Sequence, residues 1–206
     1  CRKLRNLATS LWEGIEWDWF LHYSNGRSLA WHWSPNYDWQ MGMSIGGWNE
    51  GMIPYILAVA SPTHPIPASA YYTGWAGRED FPTDQSSYGY RVWTGDSNPY
   101  GGNLFWTHYS YLGFNPNWSD WYCNYFDNNR NISLIQRAYA DDNPGGYSGY
   151  SDLIWGFTSS FAPSGYSSHE IPSQDDGTVA PTAFLSAMAY TPAESIAAMK
   201  HTYHTY

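Results

Sequence analysis

Residues 24–48 follow neither a helical nor a strand period, yet Trp31, Trp33, Tyr37, Trp39 and Trp48 sit there among Gly, Ser, Asn and Pro. A connection this long inside a compact domain is a functional segment more often than a passive link. The pattern recurs along the chain: segments with helical spacing are separated by long loops that carry Trp and Tyr. Any fold for this sequence must hold large rings in loops on a mainly helical frame.

Composition sharpens this. Of the 206 residues, 13 Trp, 19 Tyr and 8 Phe make 19% aromatic, against 13% charged. A disordered chain would show the reverse. The longest apolar stretch, residues 53–60, contains Pro54 and is far shorter than the ~18 residues a membrane span needs. The length fits one domain. The net charge is −9, and Arg2, Lys3 and Arg5 supply three of the nine cations, so residues 6–206 hold six cations against eighteen acids, a balance of −12. An acidic surface repels phosphate backbones, so nucleic acid is excluded as a partner and a neutral ligand fits. Cys1 and Cys123 cannot form a disulfide framework and match no zinc spacing. Cys1 reads as the first residue of a window on a longer protein, with a lipidated cysteine as the rival.

Apolar residues at 4, 7, 8, 11, 12, 15, 19 and 20 predict an amphipathic helix over 2–22. Asn49 is the expected N-cap of a helix over 50–60, which Pro54 should kink or end. Residues 61–67 read as a rigid turn, 68–76 as a short helix, 77–103 as loop with strands near 88–93, and 118–140 as a helix through Trp121, Tyr125, Ile132 and Ile135. Loops fill 141–180. A last helix opens with the capping box Thr191-Pro192-Ala193-Glu194.

Several motifs reduce to chance or turns. Gly42-Met43-Ser44-Ile45-Gly46 has the spacing of a nucleophile elbow but lacks the strand before it and the helix after it. His201 and His204 lie near a terminus, the turns at 141–146 and 175–178 lack the spacing of a calcium loop, and the sequons at Asn117 and Asn131 read as coincidental. Sugar binding suits the remainder, with ring faces stacking on pyranose faces and Asn, Asp, His and Arg taking hydroxyls. Glycoside hydrolysis also needs two carboxylates. Glu50 is the preferred acid. Aromatic neighbours would desolvate it and raise its pKa, while a helix N-terminus would lower it, and the sequence leaves that contest open.

At these residues the chain resembles the bacterial glycoamylase-domain family, the endo-β-1,2-glucanase type of glycoside hydrolase. The resemblance runs through LWEGIEWDWF (11–20), WHWSPNYDW (31–39), GGWNEGMIPYILAVASPTHPIP (46–67), GGNLFWTHYSYLGFNP (101–116), NYFDNNRNISLIQRAYADDNPGGYSGY (124–150), WGFTSSFAPSGYSSHEIP (155–172) and DDGTVAPTAFLSAMAYTPAES (175–195). It implies an all-α (α/α)6 barrel, partial in this chain, hydrolysis with inversion, no metal or other cofactor, and a periplasmic or extracellular location. It implies that residues 1–206 are part of a single catalytic domain with family segments beyond both ends.

By the same resemblance Glu50 is the general acid, and Trp31, Trp33, Trp48, Asn49, His64, His108, Tyr109 and Arg130 bind substrate. The base is implied outside this chain, with Asp38 and Asp152 as alternatives. Pro54, and Ser160-Phe161-Ala162 where the family commonly has an acidic residue, depart from the pattern. The expected function is cleavage of β-linked glucan, most simply β-1,2-glucan. The alternatives are an exo-acting hydrolase of β-1,2-glucooligosaccharides, a non-catalytic sugar-binding domain and a domain of a cyclic-glucan synthase. Oligomeric state is left open.

Overall fold

A computed structural model describes residues 1–24, 26–76, 82–95 and 97–206. Helices dominate, and three two-stranded antiparallel sheets join them. The chain divides into two compact units, Cys1–Phe81 and Pro82–Tyr206.

The first unit opens with α1 (Arg2–Glu13) and α2 (Trp17–Tyr23) in place of the single predicted helix. The break falls at Gly14, a residue that costs a helix about 1 kcal/mol relative to Ala. Backbone N–H groups of Gly14 and Ile15 close the end of α1 on Ser10 and Trp12, and the Thr63 hydroxyl donates to the Glu13 carbonyl at 2.5 Å. After the break, Trp17, Trp19 and Phe20 of α2 line a cleft together with Gly14, Ile15 and Glu16. β1 (Leu29–Ala30) pairs with β2 (Ser44–Ile45), so Ser44 lies in a strand and the elbow reading of its motif is set aside.

Helix α3 spans Met52–Val59 with Gly51 as its N-cap. Pro54 is therefore the third helical residue, where its missing N–H is one of the helix's unpaired donors anyway, and the predicted kink has no cause. Asn49 works one step earlier than expected. Its Oδ1 accepts from Gly51 N–H at 2.7 Å and from Trp75 Nε1 at 3.3 Å, and its amide donates to the Gly46 carbonyl at 2.9 Å. Tyr55, fully buried, accepts from Leu29 N–H at 3.0 Å and donates to the Ile45 carbonyl at 2.6 Å, locking the small sheet onto α3. The short helix expected at 68–76 is a π-turn over Tyr71–Trp75. A Cβ on its Gly74 would stand 2.2 Å from the Arg27 carbonyl oxygen and 2.7 Å from the Tyr55 hydroxyl, so only glycine permits this approach.

In the second unit β3 (Pro82–Ser87) and β4 (Tyr90–Thr94) form a hairpin around Tyr88-Gly89, so the predicted strand region holds the turn as well. Part of the loop reading for 77–103 lies outside the described residues. Helix α4 (Leu104–His108) continues as a 3-10 turn over Tyr109–Leu112. The long helix α5 runs Tyr125–Asp142, starting seven residues later than its apolar spacing suggested. Two groups set that start: Asp120 gathers Tyr122 N–H, Cys123 N–H and the Tyr125 hydroxyl, and Asn124 caps Phe126 and Asp127.

Helix α5 is the unit's pillar, and polar side chains without solvent exposure fix its neighbours. Asn128 Oδ1 accepts from Trp93 and Thr94 N–H at 2.9 and 3.3 Å, and its amide donates to the Thr94 carbonyl at 3.1 Å. Gln136 donates to the Gly102 carbonyl at 2.9 Å and accepts from Phe157 N–H at 2.7 Å. Apolar faces of the same helix, Ile132 and Ile135, close the core with Leu104, Trp155 and Phe157.

The remaining loops carry β5 (Ser160–Ala162) and β6 (Gly165–Ser167), then α6 (Pro181–Ser186) and α7 (Pro192–Thr205). Pro192 does occupy the first turn of α7, but the Thr191 hydroxyl bonds the Ala187 carbonyl and Ser195 hydroxyl, so the predicted capping box does not form. Asp175, read as a turn residue, accepts from Gly177 N–H and from the hydroxyls of Tyr139 and Tyr150. Burial first, then that carboxylate, push both phenols well above their ordinary range.

Candidate active site

In the first unit the break between α1 and α2 opens a cleft of about 600 Å³ whose walls include Trp17, Trp19, Trp31 and Trp33, with Ile45 and Pro54 also lining it. The rings brace one another. Trp19 lies edge-on to Trp33 at 5.7 Å and against Trp39 at 4.7 Å, and Trp39 stacks on Tyr23 at 3.9 Å. Trp19, Trp31 and Trp33 nonetheless remain 40%, 41% and 39% exposed. Exposed rings held rigid by other rings offer flat apolar faces at little entropic cost, which is what a pyranose ring stacks on.

A second cavity of about 610 Å³ shares Glu16 and Trp19 with the first and adds Asp18, His22 and His64. His64 Nδ1 stands 3.3 Å from Asp18 Oδ1. Trp31 and Trp33 thus fall together as predicted neighbours, and His64 belongs to the adjoining polar cavity. The sequence does not single out the cavity-lining Glu16, Trp17, Asp18 and Trp19, because the helical period through 2–22 runs past them unbroken. The signal available was Gly14, midway through an otherwise helical period.

Glu50 follows β2 and precedes Gly51, on which a Cβ would meet Ile45 Cγ2 at 2.2 Å, so its sequence neighbour packs against Ile45, a residue that lines the aromatic cleft. It is half-buried and lies outside α3. Burial raises its carboxyl above the ordinary glutamate range, and a hydrogen bond from its own backbone N–H opposes this with the smaller effect. The contest the sequence left open goes to desolvation, the condition a general acid needs.

Trp48 corrects its prediction. It is 3% exposed and packs near Trp75 at 6.3 Å, so it supports the segment from inside and presents no face to a ligand. Asn49 is engaged by the backbone of that segment and by the Trp75 indole.

The second unit places His108, Tyr109 and Arg130. His108 is 4% exposed, its Nδ1 is 2.6 Å from Ser186 Oγ, its Nε2 is 3.3 Å from Ser133 Oγ, and its ring stacks on Tyr190. Burial lowers its pKa to about 3, which makes it a neutral core residue, not a substrate contact. Tyr109 and Arg130 are exposed on the α4 extension and on α5. Of the alternative bases, Asp152 is held by Arg137 at 2.7 Å and Asp38 closes a backbone bridge with Ser34. Among the described residues no three His, Cys, Asp or Glu side chains converge as metal ligands.

The Glycoamylase family model, described as "Putative glucoamylase", matches residues 42–206. The exo beta-1,2-glucooligosaccharide sophorohydrolase (non-reducing end) of Parabacteroides distasonis is 36% identical over all of this chain, which spans 31% of that protein. The endo-beta-1,2-glucanase from Chitinophaga pinensis, solved with sophorotriose and glucose, is 44% identical with a TM-score of 0.89, covering 95% of this chain and 47% of its own. The beta-1,2-glucanase from P. distasonis superposes with a TM-score of 0.92 at 35% identity, covering 99% of this chain and 32% of its own. The chain spans about a third to a half of the length of these relatives. With the family model matching residues 42–206, most of its length, this chain belongs to the Glycoamylase family.

Proposed function

We propose that the protein carrying this chain hydrolyses β-1,2-linked glucan with inversion, with Glu50 as general acid. The single observation that carries the reading is the half-buried Glu50 carboxyl of raised pKa, next in sequence to the Gly51 that packs against Ile45 of the tryptophan-lined cleft. Stacking on Trp31 and Trp33 orients a glucosyl residue, and the protonated Glu50 delivers its proton to the departing glycosidic oxygen as the bond to the anomeric carbon opens. A second carboxylate then directs water to the opposite face of that carbon. Asp152 is held by Arg137 and is not proposed as that base, whereas the bridge of Asp38 to Ser34 uses backbone atoms only and keeps its carboxylate as an alternative.

The relatives support β-1,2-glucan as substrate, and they include both an endo-acting and an exo-acting enzyme. The match of single solved chains across both units supports reading residues 1–206 as part of one catalytic domain and its helices as part of an (α/α)6 barrel. The periplasmic or extracellular place of action implied by the resemblance is kept as part of this proposal.

The test is product analysis with the full-length polypeptide on linear β-1,2-glucan, β-1,3-glucan and starch. Cleavage confined to β-1,2-glucan, with Glu50→Gln at least ~100-fold slower in kcat, is the expected result. The size ladder of early products separates endo from exo action. Binding of β-1,2-glucan without product would replace the enzyme by a sugar-binding domain.

A further inference from the structure

The polar cavity beside the aromatic cleft has a chemistry of its own. Glu16 and Trp19 line both spaces, so a ligand stacked on Trp19 reaches from the apolar cleft into the polar one. Beyond Trp19 the polar cavity offers two carboxylates and two imidazoles and no Lys or Arg. An acceptor-rich wall suits a ligand that brings many O–H donors and no negative charge. Its two sides are also fixed to each other: the Thr63 hydroxyl and Trp12 indole bond the Glu13 and Leu57 carbonyls, tying the turn and α3 to α1, and the Ser61 hydroxyl accepts from His64 N–H at 3.2 Å. His64 Nδ1 lies 3.3 Å from Asp18 Oδ1, an ion pair whenever His64 is protonated, and both side chains remain exposed to the cavity.

Glucan linkages differ in what they leave for such a wall. A glucosyl residue inside a β-1,2-linked chain uses O1 and O2 and keeps adjacent equatorial hydroxyls at C3 and C4. Inside a β-1,3-linked chain it keeps hydroxyls at C2, C4 and C6, none of them adjacent. Carboxylates accept paired donors from neighbouring positions, so an acceptor pair beside a stacking ring discriminates between the two.

We propose that Glu16, Asp18 and the His64 that holds it form a specificity subsite for the adjacent 3- and 4-hydroxyls of a β-1,2-linked glucosyl residue stacked on Trp19. The assignment rests on the glucan reading above and adds a named discriminating element to it. Asp18 is the discriminating residue and His64 a positioning residue. Neither takes part in proton transfer to the glycosidic oxygen.

The experiment is a substrate–enzyme cycle on the full-length polypeptide. Wild type and Asp18→Asn are compared on β-1,2-glucooligosaccharides and on analogues in which one internal glucosyl residue lacks its 3- or 4-hydroxyl. Wild type should lose about 10- to 100-fold in kcat/KM on a deoxy analogue, the worth of a hydrogen bond to a charged group. Asp18→Asn should lose a comparable factor on the parent substrate, with less than about 3-fold further loss on the analogue. His64→Gln leaves the carboxylate present but unheld, and should shrink the deoxy penalty only in part. A purely structural Asp18 would lower both substrates equally and keep the penalty intact, and that result overturns the subsite. Should wild type neither cleave nor bind the parent oligosaccharide, the glucan reading itself fails, a result distinct from an intact deoxy penalty in Asp18→Asn.

Discussion

The two units invert the usual placement of side chains in opposite senses. The first leaves large rings outside: Trp19, Trp31 and Trp33 stay exposed around a cleft although each could bury a large apolar area. The second takes amides inside: Asn128, Asn129 and Gln136 lose all contact with solvent along α5. Asn128 and Gln136 are compensated by hydrogen bonds to loop backbone, which fix β4 and the loops near 102 and 157 on the pillar. Exposed, mutually braced rings have no such return within the unit, and a ligand face is the reading they support. A polar group inside and an apolar group outside therefore teach different things, the first about how loops are held and the second about what they are held for.

The largest effect expected from breaking this contrast is on stability in the second unit. Asn128→Leu removes three hydrogen bonds and strands the Trp93 and Thr94 backbone groups, at a cost of about 3–5 kcal/mol from unpaired buried polar groups. Denaturant unfolding measures it, and a loss below about 1 kcal/mol would deny α5 its role as a polar pillar. In the first unit the same class of measurement should barely respond. Trp31→Ala is expected to change stability by less than about 1 kcal/mol while raising KM for β-1,2-glucooligosaccharides roughly 10-fold at nearly constant kcat, since the ring face serves ground state and transition state alike. A stability loss as large as that of Asn128→Leu would make Trp31 a core residue.

The smallest effect sharpens the reading of Glu50. Its folded-state pKa is raised, so between the ordinary carboxyl value of 4.5 and the raised value the native state holds more protons than the unfolded chain, and stability falls as pH rises. Below 4.5 both states are protonated and the effect vanishes. Glu50→Gln should therefore raise Tm slightly near neutral pH and leave it unchanged in acid. A variant less stable than wild type at neutral pH would show that the charged carboxylate is held by favourable partners. His108 titrates in the opposite sense: burial lowers it to about 3, so protons bind the unfolded chain first and stability declines as pH drops below the ordinary 6.5.

Much of this was legible in residue order because local signals decide it. Helical period marked α1, α3, α5 and α7, Pro192 marked a first turn, and the loop of rings at 31–39 marked the cleft. Failures came where a distant partner overruled the local signal. The period through residues 2–22 was continuous, but Gly14 and the Thr63 bond to the Glu13 carbonyl end α1 and free Trp17 and Trp19 for the cleft. Residues 118–123 had helical spacing, but Asp120 held them as a turn. Thr191 sat in a capping-box pattern, but its hydroxyl found the preceding turn. Trp48 and His108 stood in the right motifs and turned inward.

By itself the sequence determined the helical frame, the acidic and aromatic character from which a neutral ligand is expected, and the identity of Glu50 as the acid to consider. Those follow from periodicity, composition and the chemistry of one side chain, all readable from the order of residues. Only the tertiary structure decided which rings face outward, that Glu16, Asp18, His22 and His64 share one cavity, and that desolvation wins at Glu50. Exposure, proximity and solvation are properties of neighbours far apart in the chain, and no local pattern encodes which neighbours a residue will meet.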